Sequence, residues 1–394
     1  MKSKKVMDGV YSVGAVDFSR RLFDALVPLP DGTSYNSYFI RGTEKTALVD
    51  TVDPTTAATL MSHLDGVERI DYVVSNHAEQ DHSGAIPTVL RRHPEAKVIA
   101  NEKCKALLMA HLPIDDGKFL VIEDRDTLEL GGKTLEFVFT PWTHWPETMM
   151  TYLREDKILF SCDLFGSHLA TAELYSNREE RVYEAIKRYY AEVMMPFRTI
   201  IGKHLDTLDT LDIAVIAPSH GPVHKDVDFV METHRGWVSD DHANTVVLPY
   251  VSMHGSTERM VDCLTEALGE EGIKVERFDL TVFDTGRFCS ALVDAATIVI
   301  ASPSFLAGAH PMVISAAFLA SSLRPKLKFA AIMGSYGWGS RMVDQVKGVL
   351  TGLNVEYLEP VQIKGEPKGD SVGLIEKLAR DIREAHERAG IVQG

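Results

Sequence analysis

A cluster of imidazole and carboxylate side chains lies in one short polar segment, residues 76–84, which read NHAEQDHSG. In an extended backbone, side chains two residues apart share a face, so His77, Glu79 and Asp81 would point the same way. His82 has the opposite parity and reaches the same region only if the chain turns there. Imidazole nitrogens and carboxylate oxygens at this density form a metal-ligand set. We therefore predict a metal site here rather than a solvated polar loop.

The element that must position this segment is the run IDYVVS at residues 70–75, which is rich in β-branched and aromatic residues. That composition predicts a buried strand, and the polar segment follows at its end. Loops at the ends of strands are where rigid scaffolds tend to present chemistry. Ser83 and Gly84 can make the turn and open a helix over residues 85–92.

Three further predicted strands end in residues of the same chemical types. The loop PWTHWPE holds His144 between two tryptophans and two prolines, which makes a stiff, partly apolar setting for one imidazole. The buried run KILFSCD ends in Asp163, and a carboxylate there is costly unless it is paired or metal-bound. The run IAVIA is followed closely by His220. The predicted metal ligands are His77, Glu79, Asp81, His82, His144, Asp163 and His220.

The other histidines have no such setting. We expect His93 and His111 on exposed helix ends and treat His168 as an incidental loop residue. Surface positions are also expected for His204, His224, His234 and His242.

Length and composition bound the class of protein. A chain of 394 residues is long for one core, so two domains are expected. A net charge of −15 argues against nucleic acid and anionic membrane as partners. The four cysteines are scattered without a Cys-x-x-Cys pair, which suits a reducing cytoplasm. No apolar run is long enough for a signal peptide or a membrane span.

The pattern changes near residues 239–244, a polar, acidic segment, and regular strand–helix alternation follows. Such alternation predicts a parallel sheet covered by helices. We therefore expect one domain at residues 1–242 and a second at residues 243–394.

Three loops of the second domain follow its first, third and fourth predicted strands. In the first loop, SMHGST, hydroxyls and a glycine open a helix, which favours an anion. It contains no lysine, so a monophosphate such as that of FMN fits better than a triphosphate.

Strands one, three and four meet near the switch point of a flavodoxin-like sheet of order 2-1-3-4-5. Phe305 and Trp338 are the candidates for stacking on the flavin ring. The predicted flavin-binding residues are Ser252, Met253, His254, Gly255, Ser256, Thr257, Ser302, Pro303, Ser304, Phe305, Leu306, Gly308, Ser335, Tyr336, Gly337, Trp338 and Gly339.

The metal-ligand spacing is similar to the His-x-His-x-Asp-His loop of the metallo-β-lactamase superfamily, with Glu79 in place of the second histidine. A carboxylate there shifts the site from hydrolytic zinc toward iron. Nearly the whole chain resembles the flavodiiron proteins (A-type flavoproteins). The resemblance implies an α/β fold with an N-terminal αββα metallo-β-lactamase-like sandwich and a C-terminal flavodoxin-like doubly wound sheet.

The resemblance also implies roles for the ligands. It assigns one iron to His77, Glu79 and His144, a second iron to Asp81 and His220, and the bridging position to Asp163, with His82 as a further ligand candidate. The implied activity is reduction of O2 to water, of NO to N2O, or of both, with electrons relayed through FMN. The implied assembly is a head-to-tail homodimer or a dimer of dimers. No Cys-rich rubredoxin-like segment follows the second domain, so a separate donor is expected, either a rubredoxin, a reduced deazaflavin or a reductase.

Two alternatives come from other functional classes. The first is a di-zinc hydrolase with a fused flavodoxin, which Glu79 disfavours. The second is an electron carrier with a vestigial metal site, which the intact ligand set disfavours. Metal and flavin content distinguish all three.

Overall fold

The computed structural model describes residues 3–282 and 284–392. The chain forms two compact units, residues 1–238 and 239–394, whereas the sequence pattern places the boundary after residue 242. No helix in the described part of the chain is long and apolar enough to cross a membrane.

The first unit contains short strands and helices in mixed order. Its strands are β1 (Lys4–Met7), β2 (Val10–Ser12), β3 (Ala15–Asp17), β4 (Leu22–Phe23), β5 (Val27–Pro28), β6 (Thr33–Tyr35), β7 (Tyr38–Arg41), β8 (Thr46–Val49), β9 (Tyr72–Val74), β10 (Lys97–Ala100), β11 (Phe119–Val121), β12 (Thr127–Glu129), β13 (Thr134–Phe139), β14 (Met149–Leu153), β15 (Ile158–Cys162) and β16 (Val215–Pro218). Its helices are α1 (Ala57–His63), α2 (Gln80–Ser83), α3 (Ile86–Arg92), α4 (Glu102–His111), α5 (Glu180–Tyr189), α6 (Arg198–Leu208) and α7 (Val227–Val238). A π-helical turn, Tyr190–Met194, and the 3-10 turn Met195–Phe197 join α5 to α6.

Two sheets form the centre of this unit. One has the order β1-β2-β7-β8-β9-β10-β11 and the other β12-β13-β14-β15-β16. A core that includes Val49, Val74, Phe137 and Phe160 joins their facing sides. A second core packs the outer face of the first sheet against helical residues such as Leu60, which is fully buried. The predicted sandwich is confirmed.

The geometry of the second sheet explains why ligands meet. β13 and β15 both run antiparallel to β14, and β16 runs parallel to β15. The C-terminal ends of β13, β15 and β16 therefore lie at the same edge. His144, Asp163 and His220 follow these three ends, and the polar segment after β9 joins them from the other sheet.

The second unit is a doubly wound parallel sheet, as predicted. Its strands are β17 (Ala243–Tyr250), β18 (Lys274–Asp279), β19 (Ala295–Phe305), β20 (Gly308–Ala309), β21 (Phe329–Tyr336), β22 (Glu356–Tyr357) and β23 (Val361–Lys364). Its helices are α8 (Ser256–Glu270), α9 (Thr285–Leu292), α10 (Pro311–Leu323), α11 (Met342–Val349) and α12 (Asp370–Arg388). The order β18-β17-β19-β21-β22, with β23 also parallel to β21, is the predicted 2-1-3-4-5 arrangement.

Helices α8 and α12 cover one face of this sheet. Met260 and Leu264 of α8 and Leu378 of α12 pack with Leu248 of β17 in one fully or almost fully buried cluster. This packing fixes the start of α8, and hence the loop between β17 and α8, against the sheet. The loops after β17, β19 and β21 leave the sheet at its carboxyl edge, where ligands bind in open α/β folds.

Candidate functional site

The structure brings all seven predicted metal ligands together in the first unit. They form two groups, and the ligand atoms within each group lie within 4.8 Å of one another. The first group contains His77, Glu79, His144 and Asp163, and the second contains Asp81, His82 and His220.

In the first group, one carboxylate oxygen faces two imidazoles. Oε2 of Glu79 lies 3.1 Å from Nε2 of His77 and 3.2 Å from Nε2 of His144. Oδ2 of Asp163 lies 3.7 Å and 3.6 Å from the same two nitrogens. Two imidazoles and two carboxylates therefore surround one centre.

The second group has the same composition once Asp163 is included. Nε2 of His82 lies 3.2 Å from Oδ1 of Asp81, and Nε2 of His220 lies 3.2 Å from Oδ2 of Asp81. The other oxygen of Asp163, Oδ1, lies 3.1 Å from His82 and 3.4 Å from His220. Asp163 thus directs one oxygen toward each group, which is the geometry of a bridging carboxylate.

His82 enters the second group because the chain coils. The expectation of an extended backbone through residue 81 was wrong, since Gln80–Ser83 form a helical turn. Ser83 stabilises this turn by donating its hydroxyl to the carbonyl of Ala78 at 2.8 Å. Successive side chains of a helical turn project about 100° apart, so Asp81 and His82 can both face the cluster.

The donor set fits two cations. Both carboxylate oxygens of Asp81, Nε2 of His82 and Oδ2 of Asp163 are buried, and none makes a hydrogen bond of acceptable geometry with any described residue. Buried polar atoms without partners are costly. Here they converge on two centres, and cations placed there would satisfy them.

Protonation supports the same conclusion. Burial lowers the pKa of His77, but hydrogen bonds with Glu147 and Glu79 raise it to about 10. Burial also lowers the pKa of His220, but the carboxylates of Asp163 and Asp81 raise it to about 10. Protons on these imidazoles balance the buried carboxylates, and metal ions would replace them, since ligand imidazoles must be deprotonated. Burial raises the pKa of the adjacent Cys162 thiol, so it stays protonated in the metal-free chain.

Three contacts orient the ligands from outside the cluster. Nδ1 of His77 lies 2.7 Å from Oε1 of Glu147, and Nδ1 of His220 lies 2.6 Å from the carbonyl oxygen of Ser34. In each ring the Nδ1–H donates, so Nε2 is the atom that would bind an ion after losing its proton. The third contact is the phenol of Tyr189, which donates to Asp163 at 2.9 Å.

Another buried acid supports the loop itself. Asp50 accepts hydrogen bonds from the backbone N–H of Asn76 at 2.8 Å and from its side-chain amide at 3.0 Å. The side-chain oxygen of Asn76 accepts from Thr151 at 2.7 Å. Sequence analysis missed Asp50, although it follows a buried strand as Asp163 does and the same argument would have found it. Tyr189 lies in a helix, where no sequence pattern marks it as a neighbour of the metal ligands.

Several histidines assigned to the surface are buried, so those predictions were wrong. His93 is 8% exposed, His204 9%, and His224 and His234 1% each. His168, expected as an incidental loop residue, is 5% exposed. His168 lies beside the cluster, with its ring centroid 5.2 Å from that of His220, and its Nδ1 lies 2.9 Å from the hydroxyl of Thr33. It belongs to neither ligand group. His111 is exposed, as expected, and His242 is half-buried.

A polar cavity of about 270 Å³ opens onto the metal ligands. Glu79 and Asp81 form part of its wall, and Trp145, Arg20 and Asp24 form other parts. It gives a small molecule access to both ligand groups.

The second unit contains a cavity of about 200 Å³ where the three predicted flavin loops meet. Nine predicted residues line it, together with Gly365: Met253, His254, Ser256, Thr257, Pro303, Ser304, Ser335, Tyr336 and Gly337. The first loop ends at Gly255, whose φ of +85° starts α8 without a side-chain cap. Thr257 and Ser335 contact each other through their hydroxyls at 2.9 Å, which ties the first loop to the last. The start of a helix with hydroxyls beside it fits a phosphate.

The remaining predicted flavin residues lie around this cavity without lining it. β19 continues through Phe305 and turns back at Leu306 and Ala307, both with positive φ, to pair with β20. Trp338 is 81% exposed and Phe305 40% exposed. The others outside the lining are Ser252, Gly255, Ser302, Leu306, Gly308 and Gly339.

Comparison with known proteins identifies the family. The family described as ODP family beta lactamase matches residues 33–221. The chain is 32% identical to a nitric oxide reductase of Moorella thermoacetica over 96% of this chain and 97% of that protein. The chain belongs to the flavodiiron protein family.

Two solved flavodiiron-type structures extend the likeness to the fold. Rubredoxin oxygen:oxidoreductase from Desulfovibrio gigas has a TM-score of 0.94 at 29% identity, covering 98% of this chain and 99% of that one. The flavodiiron protein from Giardia intestinalis has a TM-score of 0.91 at 27% identity, covering 98% and 96%.

Proposed function

We propose that this flavodiiron protein is an oxidoreductase that reduces O2 to water, NO to N2O, or both, at a di-iron site supplied with electrons through FMN. The observation that carries the proposal is Asp163, which reaches two ligand groups with its two oxygens. The names of the relatives, a nitric oxide reductase and a rubredoxin oxygen:oxidoreductase, support the two gases as substrates.

His77, Glu79 and His144 would hold one iron, and Asp81, His82 and His220 the other, with Asp163 between them. Bound iron would supply coordination of the gas and transfer of electrons to it. The protein residues keep both ions fixed and close. Three carboxylates would offset three of the four positive charges of two divalent ions, which reduces the cost of burying the ions.

The small polar cavity bounded by Glu79 and Asp81 would admit a diatomic gas to both ions together. Trp145 packs edge-on against His77, with ring centroids 5.0 Å apart, and shields that side of the cluster. Tyr189 and Glu147 hold ligands from behind, so the ligands need little rearrangement when the charge of the site changes.

FMN would bind at the cavity of the second unit, with its phosphate at the start of α8 and its ring toward the loops after β19 and β21. The absence of lysine from the first loop supports a monophosphate. Two reduced irons and one reduced flavin hold four electrons, and O2 + 4e⁻ + 4H⁺ gives 2H2O. Reduction of 2NO with 2e⁻ and 2H⁺ gives N2O and H2O, so the same store supports either reaction.

The relatives favour this activity over the di-zinc hydrolase. Glu79 also favours it, since this carboxylate stands where the hydrolytic metallo-β-lactamase pattern has a histidine. The electron-carrier alternative leaves seven converged ligands without a role.

The electron donor is proposed to be a separate protein or cofactor, either a rubredoxin, a reduced deazaflavin or a reductase. The name of the D. gigas relative supports a rubredoxin. We further propose a cytoplasmic protein that forms a head-to-tail dimer or a dimer of dimers, so that each FMN can face the irons of a neighbouring chain.

The test is metal and flavin analysis of the purified full-length protein, followed by O2 and NO consumption after chemical reduction under the same conditions. About two irons and one FMN per chain with rapid gas uptake would support the proposal and rank the gases. Zinc-loaded protein that consumes neither gas would overturn it in favour of hydrolysis.

A further inference from the structure

Glu147 lies directly behind one metal ligand. Its Oε1 accepts a hydrogen bond from Nδ1 of His77 at 2.7 Å and a second from the backbone N–H of Ala78 at 3.1 Å. On the other side of the same ring, Nε2 faces Glu79 and Asp163. One imidazole therefore joins a buried carboxylate to the first ligand group.

Glu147 is held rigidly in this position. Its side chain is fully buried, and its carbonyl oxygen accepts a 2.6 Å hydrogen bond from the side chain of Asn101. Its second carboxylate oxygen, Oε2, is buried and makes no hydrogen bond with a described residue. Because Oε1 accepts from two N–H donors, Glu147 faces His77 as a hydrogen-bond acceptor. A buried carboxylate oxygen is thus directed at one imidazole.

The second ligand group is supported differently. Nδ1 of His220 donates to the carbonyl oxygen of Ser34, a neutral acceptor, at 2.6 Å. A carboxylate acceptor draws the Nδ1 proton more strongly than a carbonyl does and makes the ring a better electron donor to a bound ion. An imidazole that donates more electron density stabilises the oxidised, more highly charged state of the ion it binds. The two otherwise similar ligand groups are therefore electronically unequal.

We propose that Glu147 is a positioning residue that fixes His77 in its Nδ1–H tautomer and makes the ion held by His77, Glu79 and His144 the harder of the two to reduce. This inference rests on the proposed di-iron function. It attributes the difference in ease of reduction between the two irons to Glu147, a residue outside the ligand set.

The first experiment is a redox titration of the purified full-length holoprotein, followed by electron paramagnetic resonance and Mössbauer spectroscopy, on the wild type and Glu147→Gln. Glutamine retains the shape and an acceptor oxygen but removes the charge. We expect the reduced-to-oxidised ratio of one iron to rise at least tenfold at a given potential, a shift of about 59 mV for one electron. The second iron should shift less.

The matched control is Asp50→Asn. Asp50 is also a buried carboxylate near the cluster, but its hydrogen bonds go to Asn76 and to no ligand imidazole. If Glu147 acts through His77, Asp50→Asn will not reproduce the selective shift at that iron. Unchanged potentials in Glu147→Gln, or the same shift of both irons in both variants, would overturn the inference.

The second experiment uses Co²⁺ alone and does not depend on iron or on activity. Metal-free wild type, Glu147→Ala and Glu147→Asp are titrated with Co²⁺ and followed by its visible spectrum. We expect alanine to weaken one of two sites by about 10–100-fold and aspartate, which keeps the charge, to restore part of the loss. Equal Co²⁺ affinities in all three would overturn the inference. Failure of the wild type to retain iron or consume gas, with the Co²⁺ difference intact, would instead overturn the proposed function.

Discussion

The phenol of Tyr189 donates a 2.9 Å hydrogen bond to Oδ1 of Asp163, the carboxylate that reaches both ligand groups. Tyr189 is the last residue of α5, and burial raises its pKa well above the ordinary value, so the hydroxyl remains a donor. Helix α5 therefore supports the centre of the cluster from behind. The contact links the packing of this helix to the position of the bridging carboxylate.

Substitution of Tyr189 by Phe should destabilise the metal-free protein. The buried Asp163 carboxylate would lose one donor while keeping its charge, a loss of about 2 kcal/mol. The thermal unfolding midpoint of the full-length chain measures the effect. Tyr11→Phe is the control, because Tyr11 is half-buried and lies outside both ligand groups. Equal midpoints for the two variants would contradict the prediction.

His82 and His168 are both buried beside the cluster, but only His82 belongs to a ligand group. His82→Ala should reduce bound metal from about two ions per chain to about one, because the second group loses an imidazole. His168→Ala should retain both ions. Metal analysis after dialysis against a weak chelator separates the two, and equal losses would show that His82 is not a ligand.

Acid should destabilise the first unit partly through His224. Burial lowers the pKa of His224 to about 4, whereas the unfolded chain titrates near 6.5. Between these values the unfolded state binds the proton and the folded state does not, so the free energy of unfolding falls as the pH falls. At pH 5 the loss from this group is on the order of 2 kcal/mol.

His224→Gln removes this proton uptake, so its unfolding midpoint should depend less on pH between 6.5 and 4 than that of the wild type. His111→Gln provides the control, because His111 is exposed. Thermal unfolding at a series of pH values measures both. Parallel curves for His224→Gln and the wild type would show that His224 does not contribute.

Flavin binding should depend on the conformation of Gly255. Its φ of +85° places it in the left-handed region, where alanine costs about 1–2 kcal/mol. Gly255→Ala should therefore release FMN, although an added Cβ meets no atom within 4 Å. Gly269→Ala lies within α8, also in open space, and should retain FMN. Bound-flavin fluorescence after gel filtration compares them; full retention by Gly255→Ala would contradict the proposed phosphate position.

The sequence predicted the elements that depend on local patterns. Asp163 and His220 stand at the ends of continuous apolar runs, and such runs form buried strands almost regardless of context. The alternation of strands and helices after residue 243 similarly indicated the parallel sheet. The seven residues that converge in the cluster were predicted because several chemically similar residues each follow a strand.

Features set by tertiary contact were not predictable in this way. The turn at Gln80–Ser83 is stabilised by the contact from Ser83 to Ala78, and a polar run of nine residues carries no periodicity that distinguishes it from an extended loop. His224 is buried because its backbone pairs with Ile216 of β16, a contact that no local pattern reveals. Stacking of Trp338 on the flavin stays a prediction: its side chain lies mostly in solvent, and aromatic character alone does not fix the direction in which it points.

We propose that two irons and one FMN in each chain act together as a four-electron store. The most direct test is to reduce the full-length holoprotein anaerobically, remove excess reductant, and mix it with limiting amounts of O2 while measuring O2 uptake and H2O2. We expect uptake of about one O2 per chain, full reoxidation of iron and flavin, and no H2O2. Release of H2O2 in proportion to the O2 consumed, with iron left unoxidised, would contradict it.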